Sequence, residues 1–419
     1  MTTTVHRTEV DGVPVFWSDL GRPTLRATLS FRIGQADEPL ARRGLVHLIE
    51  HVALDGRWPV YLEVNGATGP ISTTFLLDGP PELVVDALGL VTAAIGRLEP
   101  ARLERETEIL AAEADVRVES RRAASPLVHR FGLVGPGVLA GGEFGLHTAD
   151  ADEVLAFAQE AFCRGNATLA LTGPVPPRLH LHLPDDARRR PLPAWESFVA
   201  PPCAVEGREG EVILTALGAD APADLFVDYL MATRHRTSAS LDLGPVTHHT
   251  FTPTSGDIRA EAAALLADLR LLASDGPAPH LLAEHQTALA LAVRGRGIEV
   301  FEPQRAAYCE LLGRPYLDAD ELLAEHARVT PADVADAARA CAETAMLVVP
   351  DSAAVPERLR FFYGTPRDAP LVGNCHWFNP VDTEAANLRL QGHLLEYNGP
   401  DGLLVFDLTS LVLYAIRAD

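Results

Sequence analysis

The sequence predicts an α+β protein with two related domains and a small β-rich module at the C-terminus. β-rich runs that end in glycine alternate with amphipathic helical patterns in the first half of the chain. A Pro- and Arg-rich stretch interrupts this alternation, and a second alternation of the same kind follows. A chain of 419 residues is long enough for more than one core. We therefore expect domains at 1–185 and 211–355, a linker at 186–210, and the module at 356–419.

Strand and helix patterns alternate along the first predicted domain. Runs of β-branched and apolar residues that stop at glycine are typical of strands. Segments with apolar residues three or four positions apart are typical of helices, and one of these segments opens with proline. The predicted strands are 24–34, 71–79 and 167–173, and the predicted helices are 43–54, 81–98 and 101–117.

The second predicted domain repeats this alternation. Its last helix, at 330–343, has Thr330 at the N-cap position and Pro331 at the first helical position. In the C-terminal module, an Asn-Gly-Pro-Asp-Gly sequence between apolar runs predicts a β-hairpin. The remaining predicted elements are strands at 211–217 and 345–350, a helix at 259–273 and the hairpin at 394–406.

The composition excludes several classes of function. The formal net charge of -22 repels nucleic acid and anionic membrane surfaces. All 35 basic residues are arginine, because the sequence contains no lysine. Pyridoxal-phosphate chemistry on a Schiff-base lysine and a Walker-type phosphate loop are therefore excluded. We expect neither nucleic acid nor a membrane among the partners.

Cysteine usage and the sequence of the two ends predict a soluble, cytoplasmic protein. The five cysteines are odd in number, widely separated and without a C-x-x-C pair, which is typical of a reducing compartment. The first residues lack the apolar core of a signal peptide. The most apolar tail, at 403–416, is too short to span a bilayer and contains Asp407.

Two histidines and a glutamate stand out in the segment RRGLVHLIEHVALDG at 42–56. On a helix, His47 and His51 lie on one face, one turn apart, with Glu50 beside them. Two neutral imidazoles at this spacing can bind one zinc ion, and the order H-x-x-E-H is the inverzincin signature. A chance match is the alternative. It is weakened by the apolar helix, in which these groups would be costly to bury without a shared partner.

A third zinc ligand must come from elsewhere in the chain, because catalytic zinc usually has three protein ligands. The acidic helix at 101–117 offers Glu106 and Glu113, which are two turns apart and share a face. We expect Glu113 to complete the metal shell. Glu106 is expected to orient a histidine from outside that shell.

These segments resemble the M16 (pitrilysin or insulinase) family of zinc metallopeptidases, most closely its shorter bacterial members, which work as dimers. Residues 31–54, FRIGQADEPLARRGLVHLIEHVAL, are similar to the family's strand, turn and H-x-x-E-H helix. Residues 102–116, RLERETEILAAEADV, are similar to its E-x6-E helix, and residues 311–350 to the closing segment of its second domain. The likeness covers about residues 5–350.

The resemblance implies a half-shell of two α/β domains with antiparallel-rich sheets packed against helices. It also implies that His47, His51 and Glu113 bind Zn²⁺ and that Glu50 is the general base. Zinc would activate water, and Glu50 would take a proton and pass it to the leaving amine. The implied activity is zinc-dependent endopeptidase cleavage of short or unfolded peptides. Maturation of a ribosomally made peptide natural product is a more specific hypothesis.

One departure from the family pattern affects the strand that would pair with substrate. The family's Gly-Gly-x-x-Asn-Ala-type stretch is reduced here to residues 65–68, which begin with Asn65. Backbone pairing with an extended peptide is still expected at this edge, with Asn65 as a candidate substrate contact.

A second departure concerns the Arg and Tyr that active relatives place seven residues apart in the second domain. Here the corresponding region has Arg234 and Arg236 as candidate substrate contacts but no tyrosine at that spacing. His248 and His249 are conceivable replacements. In two-subunit relatives the partner carries the Arg and Tyr. We therefore predict that this chain is the zinc-bearing subunit of a homo- or heterodimer with an M16-like partner.

An alternative hypothesis is a peptidase-like scaffold or peptide-binding subunit without turnover. The altered second domain favours this alternative, whereas the intact motif of the first domain argues against it. Zinc content and the effect of Glu50→Gln discriminate the two hypotheses.

Overall fold

A computed structural model gives the conformation of most of the chain. It describes residues 4–116, 124–186, 188–197, 200–206, 212–219, 221–234, 237–252, 258–295, 297–349, 360–361, 388–391, 394–399, 402–407 and 413–417. Within these residues, no helix combines the length and the apolar composition needed to cross a membrane.

The first unit is built on a six-stranded sheet. Its spatial order is β1-β2-β6-β3-β5-β4, which leaves β4 at one edge. All neighbouring strands are antiparallel except β2 and β6. The strands are β1 (His6–Val10), β2 (Val13–Trp17), β3 (Leu25–Phe31), β4 (Glu63–Thr68), β5 (Thr73–Gly79) and β6 (Ala167–Leu171).

Helices cover one face of this sheet and form the main core with it. Side chains of the first two helices, such as Ile49 and Leu88, pack with Phe75 of β5. Burial alternates along β5 because only one face of this strand is covered, whereas every residue of β6 is buried. The helices are α1 (Leu45–Leu54), α2 (Pro81–Ile95), α3 (Pro100–Val116), α4 (Ser125–Phe131), α5 (Gly145–Thr148) and α6 (Ala151–Ala161).

The second unit repeats most of the topology of the first. Its sheet has the order β12-β7-β11-β8-β10-β9, so the run β11-β8-β10-β9 corresponds to β6-β3-β5-β4. The strands are β7 (Cys203–Glu206), β8 (Ile213–Gly218), β9 (Thr237–Asp242), β10 (Thr247–Thr252), β11 (Met346–Val349) and β12 (Arg360–Phe361). The helices are α7 (Pro222–Arg234), α8 (Ile258–Asp275), α9 (Pro279–Val293), α10 (Glu302–Leu312), α11 (Ala319–Arg328) and α12 (Pro331–Glu343).

Three features cross the boundaries that the sequence suggests. Residues 203–206, inside the predicted linker, form β7 and pair in parallel with β11. Residues 360–361, inside the predicted C-terminal module, form β12 and pair with β7. Helix α10 lies in the second half of the chain but packs on the first sheet, where Ala306 and Ala307 contact Phe16 and Ala170. This packing explains why β6 is buried on both faces.

The described part of the C-terminal module is an antiparallel meander of four strands. These are β13 (Leu388–Gln391), β14 (Leu394–Gly399), β15 (Gly402–Asp407) and β16 (Leu413–Arg417). Gly399 pairs with Gly402, so the hairpin predicted at 394–406 is present.

Candidate metal centre

Helix α1 is held at its N-terminus by a buried carboxylate. Glu38 Oε1 accepts the Val46 backbone N–H at 2.7 Å, and Oε2 accepts the Gly44 N–H at 3.1 Å. Burial raises the pKa of Glu38 to about 7, although Arg43 and the two amides act against the rise. Gly44 has φ of +105°, and a Cβ there would lie 2.8 Å from Glu143 Cβ. The start of α1 therefore requires glycine at position 44 as well as the capping carboxylate of Glu38.

The two histidines of α1 converge on the glutamate between them. The ring centroids of His47 and His51 are 4.7 Å apart and the rings are nearly perpendicular, at 86°. Glu50 Oε2 lies 4.0 Å from Nε2 of each histidine. His47 and Glu50 are buried, and His51 is half-buried. One donor atom from each of the three residues lies within 4.8 Å of the others.

A second carboxylate faces the far side of each imidazole. Glu143 Oε1 is 3.0 Å from His47 Nδ1, and Glu106 Oε2 is 3.3 Å from His51 Nδ1. A carboxylate that accepts the Nδ1 proton leaves Nε2 as the lone-pair nitrogen on the side of Glu50. This is the arrangement that zinc-binding histidines usually have, so the donor set fits a zinc ion.

A cleft of 510 Å³ brings together residues that are far apart in sequence. Glu113 of α3 lines it together with His47, Glu50 and His51. Glu113 is not one of the three residues whose donor atoms lie within 4.8 Å of one another, but it lines the same cleft. The predicted ligands therefore lie around one cleft.

Edge strand β4 forms one wall of this cleft. Residues 65–68 line it, and exposed and half-buried residues alternate along the strand. A Cβ at Gly66 would lie 1.8 Å from Glu50 Oε1, so the carboxylate sits directly against the backbone of the strand. Asn65 is exposed, and its Oδ1 accepts the Gly66 N–H at 2.9 Å.

The described residues that line this cleft all belong to the first unit. The described lining residues all come from positions 35–143. Arg234 is the last residue of α7 in the second unit, and Arg236 lies outside the described residues. His248 and His249 lie on β10 and are only 3% and 2% exposed. Neither histidine is therefore accessible as a replacement for the tyrosine.

The partners that come from distant segments have no local sequence signal. Glu143 stands alone in a glycine-rich stretch, GGEFG, and nothing local links it to His47. Glu38 belongs to the quoted turn, but its role as the cap of α1 depends on how the chain folds back. Gly66 gave only a weak signal, as a glycine inside a strand pattern, which often marks close approach of another group.

Comparisons with known proteins support the fold. No protein-family model matches the chain, and no curated protein matches it. A protease from Helicobacter pylori superposes with a TM-score of 0.66 at 13% identity, over 83% of this chain and 99% of that one. The first half of the periplasmic protease PqqL from Escherichia coli gives 0.64 at 15% identity, over 84% and 94%. An inactive M16 peptidase domain from Pseudomonas fluorescens gives 0.66 at 12% identity, over 82% and 97%.

The chain therefore has the fold of the M16 peptidases, in which two related α/β units form a half-shell. The α+β class and the M16 likeness predicted from the sequence are confirmed at the level of the fold.

Proposed function

We propose that the chain is a zinc-dependent endopeptidase that cleaves short or unfolded peptides. The observation that carries this proposal is the pairing of each imidazole with a carboxylate on Nδ1, while both Nε2 atoms lie 4.0 Å from Glu50. Buried groups in this arrangement are typical of a metal centre with an adjacent base.

In this proposal, His47, His51 and Glu113 hold the metal. Zinc would supply Lewis-acid chemistry, since it activates water at neutral pH and polarises a carbonyl oxygen. Glu143 and Glu106 hold the two rings in place and fix the proton on Nδ1.

Glu50 would act as the general base and then as the general acid. Its carboxylate is buried and lies against the backbone of Gly66, inside the cleft. It would take a proton from the attacking water at Oε2 and deliver that proton to the leaving amine. Base catalysis of this kind contributes roughly 10²–10⁴-fold in rate.

Strand β4 would bind the substrate backbone. Its outer edge has no neighbouring strand in the described sheet, so its N–H and C=O groups can pair with an extended peptide. Folded proteins rarely present an unpaired extended segment, whereas short and unfolded peptides do. Asn65 remains a candidate contact because it is exposed at this edge.

In this proposal, the groups that the second domain of active relatives contributes to the substrate come from a partner subunit. The described cleft is lined by the first unit alone, and the Arg–Tyr pair of active relatives has no counterpart at its expected spacing. We therefore propose a homo- or heterodimer in which an M16-like partner supplies these groups. No disulfide joins the four described cysteines, and a cytoplasmic location stays a prediction.

The test is a peptide-library cleavage assay with the chain alone and with an M16-like partner, with and without chelator. We expect cleavage that chelator abolishes and zinc restores. Glu50→Gln should bind peptide but lose at least about 10²-fold in rate. Glu104→Gln, an exposed glutamate on α3, is the matched control and should cleave normally. Cleavage that survives chelation or Glu50→Gln would contradict the proposal.

A peptide-binding scaffold without turnover is the second candidate. The likeness to the inactive domain from Pseudomonas fluorescens, with a TM-score of 0.66, favours it. A scaffold would bind peptide without stoichiometric zinc. Glu50→Gln would then leave peptide binding unchanged, and neither the wild type nor the variant would cleave.

A further inference from the structure

A second group of metal-binding side chains is buried in the second unit. Asp224 of α7, His249 of β10 and Cys341 of α12 each place one donor atom within 4.8 Å of the other two. The three residues are 4%, 2% and 0% exposed. They come from three elements that are distant in sequence, so the fold alone brings them together.

Two donor atoms of this group lie beside the same glycine. A Cβ on Gly218 would lie 2.5 Å from His249 Nε2 and 2.9 Å from Asp224 Oδ1, so both atoms flank the bare Cα of this glycine. Asp224 Oδ2 is already used, because it accepts the backbone N–H groups of Ala219 and Ala221. Oδ1 is therefore the oxygen that faces the group.

His249 carries the strongest sign of a missing ligand. Its Nε2 is buried and has no hydrogen-bond partner in the described part of the chain. A buried polar atom without a partner costs roughly 1–3 kcal/mol. On the other side of the ring, Nδ1 lies 3.4 Å from Asp228 Oδ1 and 3.3 Å from Ser240 Oγ. Ser240 Oγ also donates to Asp228 Oδ2 at 2.6 Å.

The environment of His249 suits a metal-bound histidine. Because Ser240 Oγ donates its proton to Asp228, it can only accept from His249 Nδ1, which leaves the lone pair of the ring on Nε2. In the histidines of α1, the carboxylates of Glu143 and Glu106 contact Nδ1 directly. Here the neighbours of His249 Nε2 are the carboxylate of Asp224 and the sulfur of Cys341.

A nucleophilic Cys–His–Asp arrangement is the rival interpretation of these residues. It fails on access, because the Cys341 side chain is fully buried and cannot meet a substrate.

We propose that Asp224, His249 and Cys341 supply three protein ligands of a second metal site for a zinc-class divalent cation. One nitrogen, one sulfur and one oxygen are all accepted by zinc, whereas the sulfur excludes the hard cations calcium and magnesium. The cation would offset the buried carboxylate and join α7, β10 and α12. This site is independent of the proposed peptidase centre, and its role is stability of the second unit.

Cobalt titration of the reduced protein tests the site. Co²⁺ replaces zinc and gives a thiolate-to-cobalt charge-transfer band in the near ultraviolet only when sulfur is bound. The candidate centre on α1 has no cysteine, so the band reports the second site alone. Failure of one site is therefore distinguishable from failure of the other.

We expect the band in the wild-type protein and in His47→Ala/His51→Ala. It should disappear in Cys341→Ala and His249→Gln. Cys163→Ala, which removes a buried cysteine of the first unit, is the matched control and should keep the band. Asp228→Asn should keep the band but weaken Co²⁺ binding roughly 10–100-fold.

Two results would overturn the site. One is a wild-type protein with no band, and the other is a band that persists at full strength in Cys341→Ala or in His249→Gln. Far-ultraviolet circular dichroism identifies a variant that fails to fold. If Cys341→Ala is lost in this way, the spectrum of His249→Gln and the affinity of Asp228→Asn decide the question.

Discussion

Replacing Gly66 by alanine should disable the candidate metal centre while the fold survives. The added Cβ would lie 1.8 Å from Glu50 Oε1, 2.5 Å from Cδ and 2.8 Å from Cγ. Ordinary contacts between such atoms are about 3.5–4.0 Å, so the carboxylate must move by more than about 1 Å. All three atoms belong to the end of one side chain, so Glu50 can yield without a change in the backbone.

The expected effect is large on rate and small on stability. A shift of about 1 Å in a catalytic group can cost roughly 10²-fold, and loss of the base costs up to about 10⁴-fold. We therefore expect the rate constant for cleavage to fall by at least about 10²-fold, which equals about 2.7 kcal/mol of activation free energy. Overpacking costs about 1–3 kcal/mol in a rigid core, and the low end is expected here.

The assay compares cleavage rate, zinc content and urea unfolding in Gly66→Ala and in Gly89→Ala. Gly89 lies in α2, where the nearest atom to an added Cβ is His182 Cδ2 at 3.9 Å, an ordinary contact. Gly89→Ala should keep full activity and gain slightly in stability. Normal cleavage by Gly66→Ala with full zinc content would refute the placement of Glu50 against β4.

Two further predictions concern carboxylates and buried histidines. Glu106→Gln and Glu143→Gln should each weaken zinc binding by roughly 10–100-fold, because each carboxylate contacts Nδ1 of a histidine of α1. Zinc affinity is measured by competition titration, and an unchanged affinity would exclude that role. Burial lowers the pKa of His285, and the nearby charge of His326 lowers it further. Below pH 6.5 the unfolded chain therefore takes up a proton that the folded protein does not. The stability from neutral His285 is therefore present above pH 6.5 and is lost as the pH falls, by up to about 1.4 kcal/mol per pH unit. His285→Leu should reduce the pH dependence of the free energy of unfolding in urea by that amount. The control is His280→Leu, at an exposed position on the same helix, and an equal effect there would contradict the prediction.

Much of the fold follows from local patterns. The predicted helix at 330–343 matches α12, with Thr330 as N-cap accepting the Asp333 N–H at 3.2 Å and Pro331 at the first position. The predicted strands at 71–79 and 167–173 contain β5 and β6. These elements carry their own start and stop signals, so neighbouring residues are sufficient to predict them.

Short elements with weak local signals were missed. Strand β7 has only four residues and follows a proline-rich stretch, so its strand pattern is too short to recognise. It is a strand because β11 and β12 pair with it on either side. Tertiary pairing overrides local propensity in such cases.

The sequence by itself determined that His47 and His51 share a helix face with Glu50 beside them. The helix has 3.6 residues per turn, so residues four apart on it must lie one above the other. The tertiary structure alone decided that Glu143 reaches His47, that Gly66 touches Glu50, and that Asp224, His249 and Cys341 meet in the second core. These contacts join segments far apart in the chain, and their positions are set by how sheets and helices pack, a property that no local period encodes.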